Sequence, residues 1–289
     1  MRKRKLLPLL ILFFFLLGSL TPIKGKVGVL LIAHGSPERM WNGPVQKIVK
    51  MVNLPYPVEL GFLEYVPDQT IEQAVAKLRA KGADEIIAIP LFISSYSNHI
   101  EEIKYILKLR KEPPQGAEEL HPLRNDAHFI LTPAFDAHPL IGEILRDRVK
   151  ELSVSQKNEI VVLTAHGAET EENLARWNEQ LASLATQLKK QLGLKDVKYG
   201  YIFKGRSPYL REVVKEEAKR GRVIVIPIMV SAGFFTEKRI PQILKNLSYR
   251  YNGSPLAPDR RLARWVEVMV KNTLHPRRGS NPPINKDCR

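Results

Sequence analysis

Val27–Ser36, with the sequence VGVLLIAHGS, is the stretch that decides the fold. Its first seven residues carry no charge, which is typical of a strand buried on both faces in a parallel sheet. His34 follows where the strand ends, and Gly35 and Ser36 allow the chain to turn and begin a helix. Because ligands of open α/β sheets gather at the carboxyl ends of the strands, His34 lies where chemistry is expected.

The same pattern returns in the second half of the chain. Residues 160–168 read IVVLTAHGA, and Ile89–Ser94 (IPLFIS) is matched by Ile226–Ser231 (IPIMVS). Each of the latter two segments has a proline inside an apolar run, where it costs a ladder hydrogen bond unless an edge or a bulge accommodates it. The same unusual feature at corresponding places predicts an internal duplication.

Composition and charge limit the classes of function. Apolar residues make up 44% of the chain and charged residues 26%, as in a folded globular protein. The net charge of +15 is read either as a solvated basic surface or as a surface for an anionic substrate or membrane. The sequence contains no Arg/Gly tract and no basic tract interleaved with aromatic residues, so a nucleic-acid partner is not predicted. Cys288 is the only cysteine, so disulfides and thiolate metal sites within one chain are excluded.

The N-terminus has the pattern of an export segment. Arg2–Lys5 is wholly basic, and Leu6–Leu20 is an apolar run, shorter than the roughly 20 residues of a spanning helix. We therefore expect the folded part to be exported, in a periplasmic or other extracytoplasmic location. A clean Ala-x-Ala cleavage site is absent, so an uncleaved membrane anchor stays open, and so does a buried N-terminal helix.

From residue 26 onward, strand and helix patterns alternate, which demands parallel pairing through right-handed crossovers. We predict an α/β fold of two similar lobes, each a four-stranded parallel sheet flanked by helices. The fourth strand of the second lobe is expected at Leu247–Tyr251, and a helix after the second strand is expected to be capped by Asp68. The predicted organisation is an export signal or anchor at 1–25, an N-terminal lobe with a metal site at 26–155, a C-terminal lobe with a degenerate site at 156–275, and a disordered basic tail at 276–289.

Three side chains follow neighbouring strands of the first lobe: His34, Glu64 and His99. Since parallel strands present their carboxyl ends on one edge, these side chains can converge there. Two imidazoles and a carboxylate suit a divalent first-row metal such as Co, Ni, Fe or Zn. A single histidine at a strand end is more often a packed residue than a ligand, but three such positions on one edge favour a site. The copy in the second lobe is expected to carry His166, Lys204 and Thr236 instead.

Four further histidines are interpreted more simply. His121, His128 and His138 are expected to be ordinary loop or surface residues, and the role of His166, which keeps its glycine neighbour, is left open.

A family resemblance rests on these motifs. Ala33–Ser36, the strand end Phe62–Glu64, and Ile89–Phe92 leading to His99 resemble the sirohydrochlorin cobaltochelatases of the CbiX type, which are class II tetrapyrrole chelatases. The resemblance covers about residues 27–270. It implies two similar α/β lobes, or a dimer of one lobe, with a tetrapyrrole in the cleft between them. It further implies insertion of Co²⁺, or in relatives Fe²⁺ or Ni²⁺, without ATP and without a cofactor beyond the substrate metal. A homodimer of this chain stays open.

This sequence also departs from the family. Residues 94–99 (SSYSNH) lack the usual glycine, and the second half has no carboxylate and no second histidine at the corresponding positions. Export is unexpected as well, because cobalamin and sirohaem are assembled in the cytoplasm.

The mechanism expected from these residues combines metal binding with proton transfer. Neutral imidazole can bind a metal and can also accept a proton near neutral pH. His34 and His99 are expected to hold Co²⁺ on one face of the macrocycle, with Glu64 as third ligand or as proton acceptor. Four basic residues of the second lobe are either solvated or paired with the substrate's carboxylates: Lys204, Arg206, Lys238 and Arg239.

Three rival functions follow from the same sequence. An exported metal or haem carrier on a chelatase fold agrees with the N-terminal segment, but ligating haem needs only one or two of the three site residues. A hydrolase with Ser36 as nucleophile lacks a G-x-S-x-G elbow. A dinucleotide-binding enzyme lacks G-x-G-x-x-G after the first strand.

Overall fold

The computed structural model describes residues 26–276. The predicted export segment at residues 1–25 and the basic tail beyond residue 276 lie outside the described residues. Among the helices formed by residues 26–276, none combines the length and the apolar composition needed to cross a bilayer.

Within residues 26–276, seven strands and eight α-helices follow one another in a largely alternating order, with a 3₁₀ turn at Gln156–Asn158 and a π-helical turn at Phe235–Arg239. The strands are β1 Val27–Ala33, β2 Val58–Phe62, β3 Glu85–Pro90, β4 His128–Leu131, β5 Glu159–Ala165, β6 Asp196–Tyr201 and β7 Arg222–Pro227. The helices are α1 Arg39–Met51, α2 Ile71–Ala80, α3 Asn98–Ile106, α4 Pro139–Leu152, α5 Glu171–Leu192, α6 Leu210–Glu217, α7 Ile240–Ile243 and α8 Arg260–Leu274.

The strands form two parallel sheets, with the orders β2-β1-β3-β4 and β6-β5-β7. β1 lies between β2 and β3, and its residues Val29–Ala33 are fully buried. This burial on both faces explains the uncharged run in the sequence, and the predicted α/β class with two lobes is confirmed.

The second sheet has three strands where four were predicted. Of the expected strand Leu247–Tyr251, only Arg250 pairs with β7, through an isolated bridge to Ile224. The hydroxyl of Tyr251 then donates to the carbonyl of Thr236 at 2.7 Å, and the amide of Leu256 donates to the carbonyl of Met229. The pairing with β7 therefore stops after one residue, and the chain regains backbone contact only beyond the end of β7, at Leu256 and Ala257.

The two prolines inside apolar runs lie at strand ends. Pro90 is the last residue of β3, and Pro227 is the last residue of β7. β3 pairs with β1 in the first sheet, and β7 pairs with β5 in the second sheet. On its other side, β3 pairs with β4 only as far as Ala88, so the missing amide of Pro90 removes no ladder bond.

The final helix of each half packs on the sheet of the other half. α4 contacts β7 and α5, whereas α8 contacts β3, α1 and α4. The indole of Trp265 on α8 lies edge-on to Phe135, with 4.7 Å between ring centroids, and both side chains belong to a core cluster that spans the two sheets. The boundary near residue 155 stays a prediction about the repeat, and the packing joins the halves into one core.

One predicted cap is wrong. The N-cap of α2 is Thr70, which accepts from the backbone of Gln73 while the Gln73 side chain accepts from the backbone of Thr70. This reciprocal pair satisfies two amides at once and starts the helix at Ile71, three residues after Asp68.

Candidate metal centre

Three strand ends bring His34, Glu64 and His99 together. His34 follows β1 directly, Glu64 lies two residues beyond β2, and His99 is the second residue of α3, which follows β3. One potential ligand atom from each residue lies within 4.8 Å of the other two. Within residues 26–276, no other group of three or more His, Cys, Asp or Glu side chains brings its ligand atoms within this distance of one another. The convergence expected from the sequence is thus present.

Gly35 allows the close approach of the first two loops. Its φ is +91°, and a Cβ at this position would lie 2.1 Å from the carbonyl oxygen of Glu64. The amide of Glu64 donates to the carbonyl of His34 at 2.9 Å, which continues the β1–β2 ladder past the last strand residue. A side chain on residue 35 would therefore push Glu64 away from His34.

The backbone selects the tautomer of the neutral His34 ring. Its Nδ1 lies 2.8 Å from the carbonyl oxygen of Gly35, and a carbonyl can only accept, so Nδ1 carries the proton. The lone pair is then on Nε2, which lies 4.0 Å from Oε1 of Glu64. The Nε2 lone pair of His34 and the carboxylate oxygen of Glu64 are both acceptors, so a cation placed between them could bind both.

Glu102 gives His99 the same arrangement. Nδ1 of His99 lies 2.9 Å from Oε2 of Glu102, so the carboxylate accepts the Nδ1 proton and Nε2 is left with the lone pair. The rings of His34 and His99 are 4.6 Å apart and nearly perpendicular. A carboxylate behind a ligating imidazole fixes the ring and raises its basicity, as in metal sites.

The centre is open on one side. The side chains of His34, Glu64 and His99 are 32%, 38% and 33% exposed, so a cation can enter from solvent.

The neighbouring Tyr65 has a φ of +61°, and its ring lies 5.9 Å from that of His34. Hydrogen bonding to Glu64, together with the negative charge of Glu64, raises the pKa of the Tyr65 hydroxyl.

The strand registers correct the expected counterpart of Glu64. Ile32 pairs with Gly61 in the first sheet, and Thr164 pairs with Gly200 in the second. Counting from these pairs, His34 corresponds to His166, but Glu64 corresponds to Phe203 and not to Lys204. The one-residue difference matters because consecutive side chains point to opposite sides.

The counterpart of His99 is also not a ligand. Thr236 is buried, and its hydroxyl bonds the backbone of Gly233. The ring nearest to this position is Phe235, 5.5 Å from His166 and 6.0 Å from Phe203, while His166 and Phe203 are 4.6 Å apart. We call His166, Phe203 and Phe235 the aromatic cluster.

Burial in the aromatic cluster lowers the pKa of His166 below its ordinary value. The positive charge of Arg206 acts in the same direction, while the Gly167 carbonyl and Glu169 oppose it.

The four basic residues predicted to bind substrate do not form one group. Arg206 lies at the aromatic cluster, where its Nη1 donates to the carbonyl of His166 at 2.8 Å. Lys204 and Arg239 instead line a separate cavity of about 560 Å³ with Arg211 and Lys245. Lys238 is exposed on the π-helical turn.

Several contributors to the centre could not be foreseen individually. Asp136 accepts from the amide and hydroxyl of Ser95, each at 2.7 Å, and from Gln180 of α5 at 2.7 Å, which holds the loop before α3. Burial raises the pKa of Asp136, and these hydrogen bonds oppose that rise. The side-chain amide of Asn98 donates to the carboxylate of Glu169, in the other lobe, at 2.7 Å. Of these contributors, only Glu102 could be predicted from the sequence, because it lies three residues after His99 and therefore on the same face of the helix.

Three other histidines lie away from the metal centre. His128 pairs with Glu85 at 2.7 Å, and His138 caps α4 by accepting from the amide of Leu140. Burial lowers the pKa of His138. His121 is exposed in the loop after α3.

Comparison with solved structures defines the class of fold. SirB from Bacillus subtilis with Fe³⁺ aligns over 89% of this chain and 99% of its own, with a TM-score of 0.67 and 17% identity. The structure of a CbiX described as the terminal enzyme for biosynthesis of siroheme in denitrifying bacteria aligns over 86% of this chain and 99% of its own, with a TM-score of 0.56 and 15% identity. The fold is that of the sirohydrochlorin chelatases.

Sequence comparison gives the family. The family model described as CbiX matches residues 28–152 and 160–273. A sirohydrochlorin cobaltochelatase of Methanothermobacter thermautotrophicus is 33% identical over 140 residues, which are 44% of this chain and 93% of that protein. A protein of the same name from Methanopyrus kandleri is 29% identical over 138 residues, or 43% and 96% of the two chains. This chain belongs to the CbiX family.

Proposed function

We propose that this protein is a chelatase that inserts a divalent metal into sirohydrochlorin or a closely related metal-free tetrapyrrole. The observation that carries the proposal is the arrangement of His34, Glu64 and His99. Each imidazole has its Nδ1 proton engaged by an acceptor, so its Nε2 lone pair is available, and a carboxylate lies beside them. Family membership supports the same substrate class.

The proposed reaction exchanges two protons for one metal ion. His34 and His99 bind the hydrated cation through Nε2 and replace part of its water shell. The macrocycle then supplies its pyrrole nitrogens as ligands, and its two N–H protons leave as the metal enters. Glu64, which is partly exposed, is either the third ligand or the acceptor of a departing proton. Glu102 keeps the ring of His99 in place throughout.

Co²⁺ is the proposed metal. Two imidazoles and a carboxylate suit several first-row metals, including Fe²⁺ and Ni²⁺. The names of the relatives favour cobalt, and a SirB structure from Bacillus subtilis subspecies spizizenii was obtained in complex with cobalt. Relative rates with the three metals test this choice.

The direct test is an insertion assay. Purified protein is mixed with sirohydrochlorin and Co²⁺, Fe²⁺ or Ni²⁺ under anaerobic conditions, and the absorbance change of the macrocycle is followed. His34→Ala and His99→Ala should each reduce the enzymatic rate at least a hundredfold while the circular dichroism spectrum is unchanged. His121→Ala, which removes an exposed histidine outside the centre, is the matched control and should keep the wild-type rate.

The same assay distinguishes the carrier alternative. A carrier would bind the metallated product stoichiometrically without accelerating its formation. Multiple turnovers by the wild type would exclude a carrier, and near-normal turnover by both histidine variants would contradict the assigned centre.

We further propose that residues 1–25 direct the protein out of the cytoplasm. The basic start and the short apolar run support this location. Fractionation of cells that express the full chain, with N-terminal sequencing of the product, shows whether the protein is exported and whether the segment is removed. Recovery of the intact chain in the cytoplasm would contradict export.

A further inference from the structure

We propose that the aromatic cluster of the second lobe binds one face of the tetrapyrrole ring, with Arg206 holding a carboxylate at the ring's edge. The inference rests on the proposed function, because it takes a flat macrocycle as the ligand. It assigns the second lobe a binding role at the positions where the first lobe carries its metal ligands.

The exchange of ligands for phenyl rings is the first step. By the strand registers, Phe203 in the second lobe corresponds to Glu64 in the first lobe. The ring of Phe235 lies beside His166, as His99 lies beside His34 in the first lobe. These substitutions remove the acceptors that a cation needs. They supply instead an apolar surface on which a flat conjugated ring can pack. The second lobe has therefore lost metal chemistry and gained a surface suited to the macrocycle itself.

The exposed apolar residues give the second step. Within residues 26–276, five large hydrophobic side chains are exposed, and four of them lie on segments that border the two strand-end edges. Tyr65 adjoins Glu64, Tyr96 precedes His99 in the loop after β3, Met40 is at the start of α1, and Phe234 adjoins Phe235. Exposed apolar side chains grouped in one region mark a binding surface more often than scattered ones do.

Contacts between the lobes place the aromatic cluster near the metal centre. Asn98, next to His99, donates to Glu169, three residues after His166. The indole of Trp177 on α5 donates to the carbonyl of Tyr96 at 3.3 Å. The hydroxyl of Ser231 donates to the carbonyl of Trp41 at 2.8 Å, in the helix that follows His34. These bonds fix the two strand-end edges relative to each other.

Arg206 supplies the charge. Its guanidinium carbon lies 4.6 Å from the centroid of Phe203, so it stacks on the edge of the aromatic cluster. Among the described residues, the hydrogen bond that it donates comes from Nη1 and goes to the carbonyl of His166. Nε and Nη2 are left to donate to a carboxylate, and sirohydrochlorin carries eight carboxylates.

Binding of uroporphyrin III, a metal-free porphyrin with eight carboxylates, tests the inference without any metal insertion. The porphyrin is titrated into the protein in the presence of EDTA, and the Kd is taken from the shift of the porphyrin absorption band. Phe203→Ala, Phe235→Ala and Arg206→Ala should each raise the Kd about tenfold, the loss expected for one aromatic or charged contact. Tyr249→Ala removes a half-buried ring of the same lobe, at another cavity, and should leave the Kd unchanged.

A second variant separates binding from folding. Phe203→Leu keeps most of the apolar volume and should retain the wild-type melting temperature while raising the Kd several-fold. Unchanged Kd values in all three alanine variants, or no uroporphyrin binding by the wild type, would overturn the inference. Normal binding that depends on the aromatic cluster, without any metal insertion, would overturn only the chelatase function.

Discussion

Nδ1 of His99 lies 2.9 Å from Oε2 of Glu102, one turn further along α3. The carboxylate holds the imidazole so that its other nitrogen points to the centre, and it makes that nitrogen a stronger ligand. We predict that Glu102→Ala weakens Co²⁺ binding roughly 10–100-fold, the range found when an outer carboxylate is removed. Isothermal titration calorimetry with Co²⁺ measures the change.

The neighbouring residue provides the control for Glu102. Glu101 is paired with Lys104 and Arg110, at 2.6 and 2.8 Å, whereas the carboxylate that His99 bonds is that of Glu102. Glu101→Ala should leave Co²⁺ affinity within about twofold of the wild type. Equal affinities in the Glu101 and Glu102 variants would show that Glu102 does not act on the metal centre.

Trp265 links the second half of the chain to the first sheet. It is fully buried and packs on Phe135. Trp265→Ala should lower the free energy of unfolding by about 3–5 kcal/mol, because a large cavity would form between the halves. Urea unfolding followed by circular dichroism measures this loss. Val154→Ala, at an exposed position, should change the free energy by less than about 0.5 kcal/mol.

A single cooperative transition is expected in both wild type and the Trp265 variant, since one core cluster spans the two sheets. Two separate transitions, or a loss below about 1 kcal/mol on replacing Trp265, would contradict the exchange of helices between the halves.

His166 should make stability depend on pH. Burial lowers its pKa in the folded protein from the ordinary 6.5, so the unfolded chain takes up the proton first as the pH falls. The contribution of His166 to stability is therefore complete above pH of about 6.5 and is lost as the pH falls below it. We predict that His166→Gln reduces the difference in free energy of unfolding between pH 7.5 and pH 5.

The matched variant for this measurement is His121→Gln, which removes an exposed histidine and should retain the wild-type difference. A two-dimensional NMR titration gives an independent reading, in which the ring of His166 titrates with a midpoint below 6.5. A midpoint above 6.5 would contradict the burial of this side chain against Phe203 and Phe235.

The strongest sequence patterns predicted the elements that place the centre. Gly28–Ala33 in the uncharged run are buried because neighbouring strands and covering helices enclose them, and that enclosure also sets His34 between the ends of β2 and β3. Glu64 and His99 could be assigned because each follows a readable strand in a parallel sheet. The residue patterns predict helices at Pro139–Leu152 and Glu171–Leu192, and these are the observed bounds of α4 and α5.

The errors come from relationships that only three dimensions define. The sequence alone places Lys204 opposite Glu64, whereas the strand registers place Phe203 there, because a shift of one residue between the two halves is defined only by the pairing. The exchange of α4 and α8 between the halves leaves no local pattern, since an apolar helix face does not specify its partner sheet. The support that Asp136 gives to the loop before α3 likewise depends on a distant helix residue, Gln180.

The most direct test of the central claim is the position of cobalt in a crystal of the protein soaked with Co²⁺, located by anomalous diffraction at the cobalt absorption edge. The account predicts one strong peak between the Nε2 atoms of His34 and His99, each at about 2.0–2.2 Å, with a carboxylate oxygen of Glu64 nearby. The peak should disappear in His99→Ala crystals treated in the same way. Strong cobalt peaks only at other histidines, such as His121 or His128, with none between His34 and His99, would contradict the account.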